Sequence, residues 1–447
     1  MFSERMHEVE NELLARWPET RIDPSLDRIA ALADILGSPQ LSYPTIHIAG
    51  TNGKTTTTRL IDSLLFELGL RTGRFTSPHL QSILERVAIN GSPISEGLFI
   101  KAYEDIYPYL GMIDEKMTHP ISFFEAITAL SFVAFAEYPV DVGIFECGMG
   151  GEWDSTNVIE SKVSVVTPIG FDHMEYLGDT LEKIARTKSG IIKENTFAVL
   201  AKQEREAAQV LIDRCLDTNS TPIREGVEFE VLKRSVAVGG QLISIRGVYG
   251  IYEDLFLPLH GRHQASNAAT AVATVEVFVG ENALDNELVR SAFAGATSPG
   301  RFEVVHRNPT VIIDAAHNPH GAKSLKETIN SEFNFDLVIG LVAAMGDKDI
   351  SGLLEELEPV MSKIIVTRNS SKRSATLDEI DTLARKIFGS DRVIAIDSLE
   401  EAISQGLSLA KDTIAIQDTS CALLITGSVV TAGESRTFLA KEGEPRL

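Results

Sequence analysis

Residues 45–56 read TIHIAGTNGKTT, and this stretch decides the first half of the fold. Its opening, 45–49, is a short apolar run that predicts a buried strand. A glycine-containing turn, 50–53, follows, and apolar residues at helical spacing from Ile61 to Leu68 then predict a helix. The free amides of such a turn and of the helix N-terminus face anions, so a strand, a glycine-rich turn and a helix in this order can cradle phosphate. The stretch therefore predicts nucleotide binding.

Each residue of this loop has an expected role in holding ATP. Gly53 lets the backbone approach the phosphates, the Lys54 ammonium reaches the β- and γ-phosphates, and the Thr55 hydroxyl is placed for Mg²⁺. We expect Asn52 to contact ATP as well. The strict Walker pattern has a glycine where Ile48 stands, so the loop is a shortened variant. The structural alternative is an ordinary glycine-rich turn.

Composition limits the class of protein. A chain of 447 residues exceeds one ordinary core and predicts two or three domains. Its hydrophobic content of 44% and charged content of 23% are typical of a soluble globular protein. A formal charge of −22 argues against non-specific nucleic-acid binding, although a local basic pocket can still bind an anionic small molecule. We expect a monomer that binds small molecules and no nucleic acid.

Cysteine usage and hydropathy suggest a cytoplasmic protein. Cys147, Cys215 and Cys421 lie far apart without metal-type spacing, which favours reduced thiols. The charged N-terminal segment lacks the apolar core of a secretion signal. No apolar run approaches the ~18 residues that indicate a membrane span, so no membrane partner is expected.

The first domain is predicted to be a P-loop α/β unit. Buried-strand candidates at 140–146, 163–169 and 197–201 alternate with helical patterns, which predicts a mostly parallel sheet. Segment 226–260 alternates apolar and polar residues, as a small antiparallel sheet does. Small residues and a Pro-Gly pair within 295–300 interrupt the pattern and predict a hinge.

A second domain is predicted beyond this hinge, which divides the chain into domains 1–297 and 298–447. Strand candidates alternate there with helix-length segments, at 310–314, 336–340, 363–367, 393–397 and 422–426. This regular alternation predicts a doubly wound, Rossmann-like parallel sheet. Its first strand is not followed by G-x-G-x-x-G, so a dinucleotide is not expected.

Further motifs accompany the phosphate loop. In chain order they are TSPHL at 76–80, ERV at 85–87, NGSPIS at 90–95, SFFE at 122–125, ECGMGG at 146–151, DSTN at 154–157, DH at 172–173, KSGI at 188–191, HQ at 263–264 with Asn267, PGRFE at 299–303 and DAAHNP at 314–319. Each motif is weak by itself. The ordered set resembles the dihydrofolate synthase/folylpolyglutamate synthase family of the Mur ligase superfamily.

The resemblance implies a metal centre with two Mg²⁺ ions. It assigns Mg²⁺ ligation to Ser77, Glu146 and His173. It also implies that Lys188 is carbamylated, which turns a cation into a carboxylate that helps to hold the second ion. The structural alternatives are a strand-end carboxylate paired with a lysine, a loop histidine bonded to backbone, and a solvated lysine.

The resemblance also implies that both domains contribute to ATP binding and catalysis. It assigns Asn267, Arg301 and Asp314 to ATP and His317 to the neighbourhood of the reacting groups. The structural alternatives are a capping role for Asp314 and a turn-stabilising role for Asn318. The expected catalytic residues are Lys54, Lys188, Asp314 and His317.

A third group of residues is expected, from the resemblance, to bind the pterin-bearing substrate. They are Ile22, Asp23, Pro24, Ser25, Arg86, Ser122, Phe123, Phe124, Glu125, Trp153, Asp154 and Ser155. The two adjacent phenylalanines could stack on a flat ring or belong to the core. Two departures from the family pattern are the Thr55-Thr56 pair after Lys54 and Glu152, which stands where the family usually has arginine.

The reaction implied by the resemblance is ATP-dependent addition of L-glutamate to dihydropteroate and to reduced folates through an acyl phosphate. One alternative is a monofunctional folylpolyglutamate synthase. A cell-wall Mur ligase is another, but those enzymes carry a UDP-binding domain before the loop, for which residues 1–49 are expected to be too short. The third is a regulatory protein that binds ATP without joining substrates.

Overall fold

The computed structural model describes residues 2–18, 23–280, 282–417 and 419–441. The helices are α1 (Glu4–Leu14), α2 (Asp27–Ile35), α3 (Lys54–Glu67), α4 (Glu96–Asp114), α5 (Phe123–Glu137), α6 (Met174–Leu177), α7 (Leu181–Ser189), α8 (Arg205–Asp217), α9 (Arg262–Phe278), α10 (Asn286–Ala294), α11 (Pro319–Glu332), α12 (Ile350–Leu357), α13 (Leu377–Phe388), α14 (Leu399–Gln417) and α15 (Val429–Lys441). Short 3₁₀ turns occur at Pro39–Leu41, Ile83–Arg86, Ser155–Val158, Glu358–Val360 and Ser390–Arg392.

The strands are β1 (Thr45–Ala49), β2 (Thr72–Phe75), β3 (Val87–Ile89), β4 (Ser92–Pro93), β5 (Val142–Glu146), β6 (Ser161–Val166), β7 (Phe197–Leu200), β8 (Thr221–Arg224), β9 (Glu230–Ala237), β10 (Gly240–Arg246), β11 (Ile251–Leu257), β12 (Glu303–Arg307), β13 (Thr310–Ile313), β14 (Leu337–Val342), β15 (Lys363–Val366), β16 (Val393–Ala395) and β17 (Cys421–Thr426).

The large sheet of the N-terminal half has the strand order β4-β3-β2-β5-β1-β6-β7-β8. Six neighbouring strands pair in parallel, namely β2, β5, β1, β6, β7 and β8. Strands β3 and β4 are antiparallel additions at one edge. Every residue of β1 is buried, because helices cover both faces of the sheet. The core on one face includes α3, α9 and α10, and the core on the other includes α1, α2, α4 and α5. The predicted mostly parallel sheet is confirmed.

The segment predicted as a small antiparallel sheet forms the three strands β11-β10-β9. Its inner face contributes Ile243, Ile245, Leu255 and Leu257 to the core beneath α9. The alternation of apolar and polar residues therefore reflects a sheet with one face packed against the core and the other face partly exposed.

The C-terminal half forms a second sheet with the order β12-β13-β17-β14-β15-β16. Strands β13 to β17 are parallel, with α11, α12 and α13 over one face and α14 and α15 over the other. This confirms the doubly wound prediction. The antiparallel edge strand β12 was not predicted, because its residues are only partly buried and carry no clean alternation.

Two boundaries matter for the site. Residues 295–300 lie between α10 and β12, so the predicted hinge and the division at 297 fall in an irregular segment, and both stay predictions. Helix α7 ends at Ser189, and Gly190 follows it. Gly190 packs so closely on Glu152 that a Cβ there would lie 2.5 Å from the Glu152 Cα.

Cys147, Cys215 and Cys421 are free and buried. Among the helices of the described residues, none combines the length and the apolar character that a membrane crossing requires.

Candidate active site

The phosphate loop joins β1 to α3, and two of its glycines are sterically required. Gly53 has a φ of +87° and immediately precedes the first residue of α3. A Cβ on Gly50 would lie 1.9 Å from the Thr167 hydroxyl, and a Cβ on Gly53 would lie 2.6 Å from Asn267 Oδ1. Only glycine lets the backbone turn here and expose the N-terminal amides of α3 to a ligand.

Lys54 and Thr55 open α3 and point in different directions. The Lys54 ammonium folds back over the loop and donates to Gly50 O at 3.0 Å and Thr51 O at 3.3 Å. The Thr55 hydroxyl donates to Glu146 Oε1 at 2.9 Å. A cation and a carboxylate therefore both border the loop, as phosphate and metal binding require.

Glu146 ends β5 beneath the loop and is 1% exposed. Burial raises the pKa of this carboxyl, while Lys54, the Thr55 hydroxyl and Arg301 oppose the rise. Its Oε2 is buried and has no hydrogen-bond partner among the described residues. An unpartnered buried carboxylate oxygen fits a cation, and Mg²⁺ needs few protein ligands because it retains water. In the described residues no three His, Cys, Asp or Glu side chains form a metal cluster on their own.

Lys188 is buried rather than solvated, with 5% of its surface exposed. Its ammonium donates to Gly50 O at 2.9 Å, on the same carbonyl that Lys54 contacts. Burial first and the Lys54 charge second lower the pKa of Lys188 to about 7. A large neutral fraction near neutral pH is what carbamylation needs.

His173 precedes α6 with a φ of +50°. Burial lowers the pKa of this histidine to about 4, although Asp172 opposes the shift. Its Nε2 lies 3.1 Å from the Lys348 ammonium, so a neutral imidazole presents its lone pair to a cation. This nitrogen therefore has a side-chain partner, and the role of His173 as a metal ligand stays a prediction.

Asp314 follows β13 in the second domain and accepts the backbone amides of Phe302 and Ala316, each at 2.8 Å. Burial raises the pKa of Asp314, and Arg301 opposes the rise. Asn318 has the turn-stabilising role that the sequence left open, because it accepts the Gly321 amide at 2.7 Å and caps α11.

Asp172 connects the two domains and was not among the predicted site residues. Its carboxylate accepts the Lys348 ammonium at 2.6 Å and lies 3.5 Å from His317 Nε2. Burial alone would raise the pKa of Asp172, but the hydrogen bond with His317 and the charges of His173 and Lys348 hold it below its usual range. Lys348 was also missed; it lies in the turn between β14 and α12, and no motif marked it.

A cavity of about 1530 Å³ lies between the domains. The structure brings to it all the residues predicted for catalysis, ATP and metal, namely Asn52, Gly53, Lys54, Thr55, Ser77, Glu146, His173, Lys188, Asn267, Arg301, Asp314 and His317. The two domains also touch beside the loop, where Asn52 Nδ2 lies 2.7 Å from His320 Nδ1. The individual roles of the residues predicted for catalysis, ATP and metal stay predictions.

Comparisons with known proteins agree with this architecture. The Mur ligase middle domain model matches residues 48–275, and the Mur ligase, glutamate ligase domain model matches residues 300–428. The dihydrofolate synthase/folylpolyglutamate synthase of Mycobacterium tuberculosis is 47% identical, over 97% of this chain and 94% of that protein. The chain belongs to the dihydrofolate synthase/folylpolyglutamate synthase family of Mur ligases. It is an ATP-dependent ligase.

Solved structures of this ligase family superimpose on the whole chain. M. tuberculosis folylpolyglutamate synthase complexed with ADP has a TM-score of 0.94 at 46% identity, covering 99% of each chain. E. coli FolC in complex with DHPP and ADP has a TM-score of 0.84 at 28% identity, covering 98% of each chain. The family resemblance drawn from the motifs is confirmed.

Among the described residues, none of those predicted to bind the pterin lines the cavity of this ligase. Those within the described residues are Asp23, Pro24, Ser25, Arg86, Ser122, Phe123, Phe124, Glu125, Trp153, Asp154 and Ser155, whereas Ile22 lies outside them. Several of these side chains already have partners. The Asp154 carboxylate, for example, accepts the Met149 amide at 2.8 Å and the Thr156 amide at 3.0 Å.

The SFFE motif of this ligase forms the start of α5 and stabilises it. Ser122 and Glu125 form a capping box at the start of α5, with Ser122 N donating to Glu125 Oε2 at 2.7 Å. Arg28 Nε donates to Glu125 Oε1 at 3.0 Å. Phe123 is 5% exposed, and the Arg86 guanidinium lies 4.9 Å from its ring centre. Pterin contact by this motif stays a prediction that has to accommodate these contacts.

Replacing Arg28 with methionine is expected to destabilise the ligase by about 3 kcal/mol, because a buried carboxylate then loses its ion-pair partner. Arg28 and Glu125 are 9% and 2% exposed. Urea unfolding would measure the free energy of unfolding. The matched control is Arg71→Met, since Arg71 pairs with Asp141 at the exposed surface and should change stability by less than about 1 kcal/mol. Equal effects of the two substitutions would contradict a structural role for the buried pair.

Proposed function

We propose that this ligase adds L-glutamate to dihydropteroate, forming dihydrofolate, and then to folylpolyglutamates, with release of ADP and phosphate. The observation that carries the proposal is an interdomain cavity that contains the phosphate-loop lysine, a buried carboxylate with one unpartnered oxygen and polar groups from both domains. The family relationship supplies the substrate class.

The metal part of the proposal rests on the residues around Glu146. Ser77, Glu146 and His173 would hold one Mg²⁺, and carbamylated Lys188 would help to hold a second. When bound, Mg²⁺ neutralises the charge that moves between phosphate oxygens. The unpartnered Glu146 Oε2 supports this assignment.

In the first step a carboxylate oxygen of the acceptor attacks the γ-phosphorus of ATP in line. The bond from that phosphorus to the β,γ-bridging oxygen breaks, and the products are an acyl phosphate and ADP. Lys54 and Arg301 stabilise the developing negative charge on the phosphate oxygens, and Asn267 and Asp314 orient the nucleotide. Closure of the two domains keeps water from the acyl phosphate.

In the second step the glutamate amine attacks the acyl carbon, and phosphate leaves after the amine has lost a proton. His317 is the proposed acceptor of this proton. Its Nδ1 lies 3.0 Å from Ala315 O and its Nε2 lies 3.5 Å from the Asp172 carboxylate. The imidazolium that forms therefore finds an oxygen acceptor at each ring nitrogen, and the Asp172 carboxylate stabilises its charge. Asp314 is better suited to orientation, because two backbone amides occupy its carboxylate.

The decisive assay combines purified protein, ATP, Mg²⁺ and L-glutamate with either dihydropteroate or tetrahydrofolate. We expect ADP formation only when an acceptor and glutamate are both present, and mass spectrometry should detect products one glutamate heavier for both acceptors. Turnover with tetrahydrofolate alone would indicate a monofunctional folylpolyglutamate synthase. ATP binding without glutamate-dependent turnover would contradict the ligase proposal.

A further inference from the structure

Three large apolar side chains lie exposed beside the candidate metal ligand His173. Phe171 is 49% exposed, Met174 49% and Tyr176 42%, and all three line the interdomain cavity. Single exposed apolar residues are ordinary, but a cluster within one short segment at the mouth of a polar cavity marks a binding surface. We call these three residues the aromatic wall.

The aromatic wall is held in place by the buried side of the same segment. Tyr176 N and Leu177 N donate to His173 O at 3.0 and 2.9 Å, which closes the turn of α6. Leu177 is 4% exposed and belongs to a core cluster against which Met149, Trp153 and Leu181 pack. Because the segment is anchored by Leu177, its exposed side chains form a preorganised surface and need little ordering on binding.

The chemistry of the acceptor determines which part of it can reach this wall. In dihydropteroate the reacting carboxylate is attached directly to the aminobenzoyl ring. That carboxylate has to meet the γ-phosphate near Lys54, so the ring must lie close to the loop and to His173. In folylpolyglutamates the reacting carboxylate ends a flexible glutamyl chain, so an aliphatic segment occupies the same place.

We propose that the aromatic wall binds the aminobenzoyl ring of dihydropteroate and thereby favours addition of the first glutamate. This inference rests on the proposed function and deepens it. Phe171 and Tyr176 offer ring faces and edges, and Met174 offers a polarizable thioether, all of which pack well on a flat aromatic amide. Neither phenylalanine of the SFFE motif lines the cavity, and Phe123 is only 5% exposed.

The test is a kinetic comparison of the triple variant Phe171→Ala/Met174→Ala/Tyr176→Ala with the wild-type ligase. We expect the KM for dihydropteroate to rise about ten-fold or more, as loss of aromatic packing predicts. The KM for ATP should stay unchanged, which also reports that the variant is folded. The KM for tetrahydrofolate should change by less than about two-fold, because a glutamyl segment makes fewer contacts with the wall.

Two further variants test whether the aromatic ring of Tyr176 makes the contact and whether the effect is confined to the cavity. Tyr176→Phe should retain the wild-type KM for dihydropteroate, because the ring and not the hydroxyl makes the contact. Tyr107→Ala is the matched control, since Tyr107 is 55% exposed on α4 and does not line the cavity. It should leave all KM values unchanged.

An unchanged KM for dihydropteroate in the triple variant would overturn the inference, and so would an equal rise in KM for both acceptors. Failure of the proposed function has a different signature. In that case the wild-type protein itself forms no glutamate-dependent ADP with either acceptor.

Discussion

Replacing Lys54 with alanine is expected to lower kcat/KM for glutamate addition by about 10³-fold or more, the scale of losing a charge that stabilises phosphoryl transfer. The lysine lies at the phosphate loop, where its ammonium contacts Gly50 O and Thr51 O. Arg301 and the amides of α3 cannot replace a cation at that point. ADP formation with dihydropteroate and glutamate would measure the loss.

Lys101→Ala is the control for this experiment, because Lys101 is an exposed lysine that pairs with Glu137 and does not line the cavity. It should retain wild-type activity. A Lys54→Ala enzyme that ligates at the wild-type rate would contradict the proposed mechanism from its first step onward.

Replacing Lys188 with alanine is expected to lower kcat by about 10²-fold, because a buried ligand-bearing side chain is lost next to the phosphates. If the carbamate is the working form, acetate or formate should restore part of the rate by supplying a carboxylate to the vacated space. Lys188→Arg should not be rescued. The control is Lys183→Ala on the same helix, since Lys183 is exposed and pairs with Asp179.

The pH dependence follows from the same lysine. Carbon dioxide adds to the neutral amine with release of a proton, so carbamylation requires a deprotonated Lys188. Burial lowers its pKa to about 7, and the amine is therefore increasingly protonated as the pH falls below that value. Activity should fall on the acid side of neutrality and recover when carbon dioxide is raised at fixed pH. Labelled carbon dioxide followed by carbon NMR would detect the carbamate, and wild-type activity of Lys188→Ala would contradict this account.

Local sequence was most informative where one short segment carries both the conformation and the chemistry. The loop at 50–53 is an example, because the glycines, the lysine and the apolar stripe of α3 are all neighbours in the chain. Glu146 and Asp314, which the family resemblance had assigned to the site, lie at or directly after the carboxyl ends of β5 and β13. Parallel strands in an α/β sheet direct their carboxyl ends to one edge, so a polar residue at such a position belongs to the site.

Local sequence was less informative where a polar residue has two possible partners. Glu125, which the family resemblance places at the pterin, caps α5 and pairs with Arg28, a residue distant in the chain. Its contact with the pterin stays a prediction. The capping-box pattern of Ser122 and Glu125 was present in the sequence and would have indicated the structural role. The ion pair with Arg28 carried no such local signal.

The amino-acid sequence by itself determined the phosphate loop, the alternation of strands and helices in two domains, and the order of the family motifs, because these depend on neighbouring residues and on local periodicity. Tertiary structure alone decided that Asp172 meets Lys348 and His317 across the domain interface, that Lys188 is buried against Gly50, and that Phe171, Met174 and Tyr176 are left exposed in the cavity. Such contacts depend on strand order and on how the two domains dock. Both are set by the burial of whole faces, which no short stretch of chain encodes.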